Sequence, residues 1–383
     1  MRLPRAVVAL GFVSLFMDIS SEMVHALLPI YLTGTLGASA AMVGLIEGLA
    51  QGTAQITKLF SGLISDWTGR RKPLAVLGYG LSALTKPIFA VAGSVDAILF
   101  ARMADRFGKG IRGTPRDAML ADMVPPDARS AAYGLRQSMD SFGAFLGPLI
   151  VIGLMLWAGA SIPVIFGLAI VPAALAVAVL IFAVREPDVK DAKPGTWPLT
   201  LAGLRRMQPG LLAAIGIATL MTMARISDAF LILRASDAGL AIWALPLVLV
   251  VLNAVDTATS WPVGVLADKI GKRGLLIAGF GVLALANLAM ALSGSLVAVF
   301  IGIALWGLHM GLTQGLLAAM VADAAPPDLR GTAFGLYNLA TGIALILGNG
   351  LAGLAWAGIG PEATFLFAGA LAAVATGLGL LRR

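Results

Sequence analysis

Twelve apolar stretches follow one another along the chain, separated by short polar breaks. They read as Val7–Leu32, Ala41–Ile64, Leu74–Ala92, Val95–Met123, Ala131–Trp157 and Ile162–Val184, then Leu211–Ala235, Leu240–Leu266, Leu275–Leu292, Leu296–Ala322, Thr332–Trp356 and Ala363–Leu381. Between Leu211 and Leu233 only Arg225 and Asp228 interrupt, and between Leu275 and Leu292 there is no charge. About 20 apolar residues cross a bilayer as a helix. The pattern predicts an all-α polytopic membrane protein with twelve spans in two sets of six, over residues 1–184 and 210–383. The segment 185–209 between them, with three internal prolines and five basic residues, reads as a linker.

The polar positions inside the spans are few, and most are in register on one helix face. Asp18, Glu22 and His25 sit at i, i+4, i+7 in the first span. Glu47, Gln51, Gln55 and Lys58 form a stripe in the second. In the fourth, Arg102, Asp105, Lys109, Arg112 and Arg116 form another, beside Arg106. Arg136 and Asp140 share a face of the fifth with Gly143 and Gly147. The second set offers Arg225, Asp228 and Asp256, and its tenth span carries Trp306, His309 and Gln314 where the fourth has charges. An ionisable residue at the centre of a span costs roughly 2.5–3.5 kcal/mol on insertion scales, so each is a functional candidate. Carboxyl groups can change protonation where an arginine stays charged. Asp18, Glu22 and Glu47 are therefore expected to carry protons. His25, Gln51, Arg102, Lys109, Arg112, Arg136, Asp140, Arg225, Asp228 and Asp256 are expected to meet substrate. The cationic fourth span favours an anionic or zwitterionic solute, whereas the acidic first span could suit a cation. The competing reading is a set of internal ion pairs, such as Asp105 with Lys109, that hold helices together.

Lysines and arginines of the short loops collect on one side, among them Arg2, Arg5, Arg70, Arg71, Lys72, Arg129, Lys269, Lys272, Arg273, Arg330, Arg382 and Arg383. That bias places both termini in the cytoplasm and accounts for the net charge of +7 without invoking nucleic acid. The apolar share of 59% and charged share of 12% exclude an ordinary soluble enzyme, which carries about 25% charged residues. With no cysteine there is no disulfide or thiolate metal site. His25 and His309 stand alone, so no metal is expected, and no nucleophile-base set or cofactor motif is present. The apolar N-terminal run continues through Asp18 and Glu22 to Leu32, which suits an uncleaved first span better than a signal peptide.

The two sets repeat each other. Gly62-Leu-Ile-Ser-Asp66-Trp-Thr-Gly69-Arg70-Arg71 recurs as Gly264-Val-Leu-Ala-Asp268-Lys-Ile-Gly271-Lys272-Arg273, and Asp122 with Arg129 recurs as Asp323 with Arg330. These motifs, after the second and eighth and after the fourth and tenth spans, resemble those of the major facilitator superfamily over the whole chain. The resemblance implies two six-helix bundles and transport by alternating access, with these loop residues acting as a cytoplasmic gate. Gly134, Gly143, Gly147 and Pro148 match the spacing of that family's antiporter signature, although Val151 and Ile152 replace a later glycine pair. Arg106-Phe-Gly-Lys109-Gly110 resembles a fourth-helix pattern in which the arginine is linked to proton transfer, with Lys109 in place of glutamine.

The wording around Asp18 and Asp105 is similar to a bacterial subgroup labelled as drug or heavy-metal resistance exporters. The resulting expectation is a monomeric inner-membrane transporter that exports a small solute against protons. The alternatives are a symporter importing an organic anion and, further off, a membrane sensor on a transporter fold. If Asp66 belongs to a gate, Asp66→Asn will reduce transport strongly while leaving expression and thermal stability near wild type; intact transport in a destabilised protein would assign it to packing.

Overall fold

A computed structural model describes residues 4–68, 70–125, 128–186, 209–324 and 330–381. The chain is an all-α polytopic membrane protein, with no strand among the described residues. Among the described residues ten helical segments are long and apolar enough to cross a membrane. The remaining two expected spans are also long helices, Ala40–Thr68 and Val95–Asp122. Their polar stripes lower their apolar character: Glu47, Gln51, Gln55 and Lys58 in the second span, and the charges from Arg102 to Asp117 in the fourth. Segment 187–208, most of the expected linker, lies outside the described residues.

By their contacts the residues form two compact units, 1–31 with 53–196 and 32–52 with 197–383. The first half of the second span packs with the second unit, for a reason visible in its glycines. Gly44, Gly48 and Gly52 lie one turn apart, and a Cβ at each would stand 2.3–3.0 Å from atoms of the eleventh span, Arg330–Gly358. Small residues at such spacing let two helix backbones approach closely.

In the first unit the third span, Arg71–Val91, lies along the fourth. Gly78 and Gly108 meet backbone to backbone, since a Cβ on either would come within 2.7 Å of the other's carbonyl oxygen. One turn further along, Ser82 Oγ donates to the carbonyl of Asp105 at 3.1 Å. At the end of this seam Lys86 Nζ and Asp105 Oδ1 pair at 3.0 Å. The second half of the second span joins from the other side: Ser61 Oγ donates to the Gly110 carbonyl at 3.0 Å, and Gly110 leaves room for Thr57. The glycines of Gly108-Lys109-Gly110 thus serve two helix contacts.

The first span, Arg5–His25, packs along the fifth, Arg129–Ala158. Cβ atoms at Gly143 and Gly147 would stand 2.5 Å and 2.9 Å from the carbonyl oxygens of Leu15 and Ile19. Gly134 has open space around it. The first span breaks after His25 at Ala26–Leu27. Pro29 explains this, because its ring has no N–H for the His25 carbonyl and crowds it. A chain of short helical turns continues to Thr35. The sixth span is interrupted at Ala169, three residues before Pro172, and Ser20 Oγ donates to the Ala169 carbonyl at 2.7 Å.

The expected seventh span is also two helices, Pro209–Ala224 and Asp228–Asp237. No proline causes this break. A Cβ at Gly348 would stand 2.6 Å from the carbonyl of Met223, the acceptor that a continuous helix would give Ser227. The Ser227 N–H donates to Asn349 Oδ1 at 2.6 Å instead, and Ser227 Oγ caps the next helix by accepting from Ala229. The eleventh span therefore makes and satisfies the break.

The lining of the units is inverted relative to a soluble protein. Lys86, Arg102 and Asp105 are at most 2% exposed, while Trp157, Phe182 and Val91 are more than 80% exposed. If Gly143 is a packing requirement, Gly143→Leu will lower the melting temperature of the purified protein, the overpacking cost being about 1–3 kcal/mol. Gly134→Leu will leave it nearly unchanged. Equal effects at the two positions would remove the packing explanation.

Candidate functional site

Several buried charges of the first unit are held by contacts between helices. Asp105 holds Lys86 at 3.0 Å and Arg106 at 3.6 Å. The partner of Asp105 on the facing helix is Lys86, which the helical stripe of the fourth span alone could not reveal; the pairing of Asp105 with Lys109 is replaced by it. Arg102 donates to His25 Nδ1 at 2.8 Å, so that nitrogen carries no proton in this contact. Arg112 donates to Ser82 Oγ and stacks over the Tyr79 ring, 4.7 Å from its centroid.

A second group of contacts joins the first, fourth and fifth spans. The carboxyls of Asp18 and Asp140 face each other within interaction range. Arg136 reaches Asp140 at 3.5 Å and Asp117 at 3.8 Å, and Arg116 reaches Asp117 at 2.9 Å and Asp140 at 4.0 Å. Arg116 also donates to Ser14 Oγ at 3.2 Å and Tyr79 Oη at 3.4 Å. Lys109 is in Coulomb range of both Asp18 and Asp140. The sequence pairs Asp18 with Glu22, its neighbour one turn on. In the structure the carboxyl that meets Asp18 is on the fifth span, because Gly143 and Gly147 bring that helix so close. The stem of Glu22 lies beside Gly147, whose added Cβ would be 2.8 Å from Glu22 Cβ.

In the second unit the polar residues gather at the break in the seventh span. Gln51 Nε2 donates to Glu47 Oε2 and to Ser227 Oγ, both at 3.1 Å, and Ser227 Oγ lies 3.4 Å from Glu47 Oε2 and 3.3 Å from Asp228 Oδ1. Glu47 is 1% exposed. Arg225, at the break itself, is in Coulomb range of Asp256, His309 and Tyr337. Ser260 donates to Asp256 Oδ1 at 3.0 Å, and the His309 Nδ1 hydrogen bond goes to the Gly279 carbonyl at 2.9 Å. The expected substrate residues thus divide. His25, Arg102, Lys109, Arg112, Arg136 and Asp140 belong to the first unit, and Gln51, Arg225, Asp228 and Asp256 to the second. Sequence reasoning missed Lys86, Ser227 and Asn349. Lys86 carried a usable signal, as a lysine in the middle of an apolar span.

Among the loop motif residues, Arg71 pairs with Asp122 at 2.5 Å. Beside this pair Glu186 Oε1 accepts from the backbone N–H groups of Arg71 and Lys72 at 2.5 Å and 3.0 Å, capping the third span with a carboxylate. Gly62 packs on Thr114, Gly271 adopts φ +89°, and Arg273 donates to the Gly379 carbonyl at 3.0 Å. Arg70 is exposed and Gly264 has open space. Gly69 and the side chains of Asp66, Arg129, Asp268, Asp323 and Arg330 lie outside what the structure describes. Among the described residues no group of histidines and carboxylates is arranged to hold a metal ion.

The Lys86–Asp105 seam gives a direct test. Lys86→Met will destabilise the protein by up to about 3–5 kcal/mol, the cost of leaving a buried charge without its partner, lessened by Arg106. Combining it with Asp105→Asn will recover much of that loss. Additive losses in chemical unfolding would show that the two side chains are not coupled.

A model of the Major Facilitator Superfamily matches residues 10–348 and 247–383. An uncharacterized MFS-type transporter of Methanocaldococcus jannaschii is 32% identical over 388 residues, covering 99% of this chain and 95% of the relative. Among solved structures, a nucleoside transporter, NupG, superposes with a TM-score of 0.80 at 14% identity, covering 98% of each chain. A POT family transporter in complex with 5-aminolevulinic acid gives 0.82 at 14% identity, covering 99% of this chain and 96% of that one. The fold, the repeated loop motifs and these similarities lead to one conclusion: this chain belongs to the major facilitator superfamily of secondary transporters.

Proposed function

We propose that the chain is a proton-coupled transporter of a small organic anion, set in the cytoplasmic membrane with both termini in the cytoplasm, and that the Asp18–Asp140 pair carries the proton. The observation that supports this most is that Lys109 lies in Coulomb range of both carboxyls of that pair. Two carboxyls so placed can hold one shared proton between them. When the proton leaves, the pair gains a full negative charge next to the Lys109 ammonium and competes with an external anion for it. When the proton returns, Lys109 is released to the solute. Protonation and anion binding then favour each other, by the reciprocity that any such linkage obeys. The two ligands travel in the same direction, and an inward proton gradient drives uptake.

The second reading is export in exchange for protons, supported by the likeness of Gly134, Gly143, Gly147 and Pro148 to an antiporter signature. Two of those glycines are accounted for by the close approach of the first and fifth spans, so the spacing weighs less than the placing of Lys109. Arg106, which borders Asp105, tunes the field of the site in either reading. Glu22 and Glu47 are the next candidates for proton transfer.

Proteoliposomes holding a luminal pH dye distinguish the two. Addition of a transported anion outside will acidify the lumen if proton and anion move together, and Asp18→Asn or Asp140→Asn will abolish the signal. Luminal alkalinisation by the same anion would establish exchange and overturn the proposed coupling.

A further inference from the structure

Lys58 closes the polar stripe of the second span and stands on the side of the fourth that carries Gly113. Its Nζ donates to Gln55 Oε1 at 3.1 Å, and a Cβ at Gly113 would lie 3.8 Å from its Cε. Gly113 is therefore the seat over which the lysine stem runs. Lys109 is one turn before Gly113, and Arg116 is one turn after it. Arg112, 4% exposed, is held by neutral groups, the Ser82 hydroxyl and the Tyr79 ring. Among the described residues none of Lys58, Lys109 and Arg112 has a carboxylate within ion-pair distance.

The local charge does not balance. Lys58, Lys109, Arg112, Arg116 and Arg136, with Arg106 in the field of Lys109, outnumber the carboxylates of Asp18, Asp105, Asp117 and Asp140. The surplus of positive charge grows when Asp18 and Asp140 share a proton. A monoanion leaves part of that surplus buried and uncompensated, which a low-dielectric interior penalises. A dianion does not.

We propose that Lys58 and Lys109, with Arg112 behind them, receive a dianionic head group of the phosphate or phosphonate type, and that Gly113 leaves the space in which Lys58 does so. This rests on the anion reading above and narrows its substrate class. Lysine ammonium groups bind phosphate as compact point charges, and an arginine fork can match two of its oxygens.

The test is binding of inorganic phosphate to the purified full-length chain at about pH 7.5, followed by thermal shift. A phosphate ester is dianionic there, its second pKa being about 6. Phosphate and sulfate will stabilise the protein saturably, and acetate at equal ionic strength will not. Lys58→Met will weaken phosphate binding roughly tenfold or more, as expected for a lost charged hydrogen bond. Lys58→Arg will retain most of it. Gly113→Leu, which keeps every charge, will weaken it as Lys58→Met does. Unchanged phosphate affinity in Lys58→Met overturns the proposal. Stabilisation by acetate as strong as by phosphate overturns the head-group class and leaves an anion transporter. Short-chain phosphatidic acid acting where inorganic phosphate does not would assign the seat to a lipid head group. If no anion binds while an imposed gradient still moves protons through Asp18 and Asp140, the anion reading itself fails.

Discussion

The contact between Lys86 and Asp105 fixes how the third and fourth spans meet, and the arrangement of the first unit follows from it. Each member of the pair alone would be prohibitive inside a bilayer-spanning helix. Together, at 3.0 Å and almost without exposure, they compensate each other. Their pairing sets the register in which Ser82 meets the Asp105 carbonyl and Gly78 meets Gly108. A slip of one residue along this seam would break the ion pair and drive a side chain into a backbone contact. With the seam held, Arg116 reaches the first and fifth spans, while Arg112 stays on Ser82 and Tyr79 of the third. The charged residues of this helix therefore divide by role: Asp105 holds the scaffold, while Lys109 and Arg112 present charge.

The second unit uses less charge and more unsatisfied backbone. The eleventh span crowds the Met223 carbonyl with Gly348 and supplies Asn349 to the Ser227 N–H. An interrupted helix at membrane depth is tolerated only where other protein groups meet its freed backbone, and Asn349 does so here. The break places Ser227 against Glu47 and Gln51 and puts Arg225 in the field of Asp256 and His309. Because residues 32–52 belong to this unit, the stripe of the second span is divided. Glu47 and Gln51 serve the second unit, and Gln55 and Lys58 the first.

Much of this was legible in the sequence. Length and spacing of the apolar stretches gave the helical class, and the doubled Gly62–Arg71 and Asp122–Arg129 motifs gave the family. Helical period picked out Asp18, Lys109, Arg112 and Asp140 as one-face charges. Partners across helices were not legible, because a stripe reports which residues share a face and not which helix lies opposite. Asp18 was thus set beside Glu22 and Asp105 beside Lys109, where packing chose Asp140 and Lys86. Nor could the break at 225–227 be seen: proline marks the interruption after His25, but the later one is imposed by Gly348 and Asn349, about 120 residues away.

On the proposed coupling, a proton on the Asp18–Asp140 pair and an anion near Lys109 strengthen each other. Proton exchange on binding measures this without a membrane. Sulfate, a stable dianion that does not itself exchange protons near neutrality, is titrated into weakly buffered purified protein while pH is followed. Net proton uptake will accompany sulfate binding and will be lost in Asp18→Asn. Proton release on binding, or uptake that persists unchanged in that variant, would contradict it.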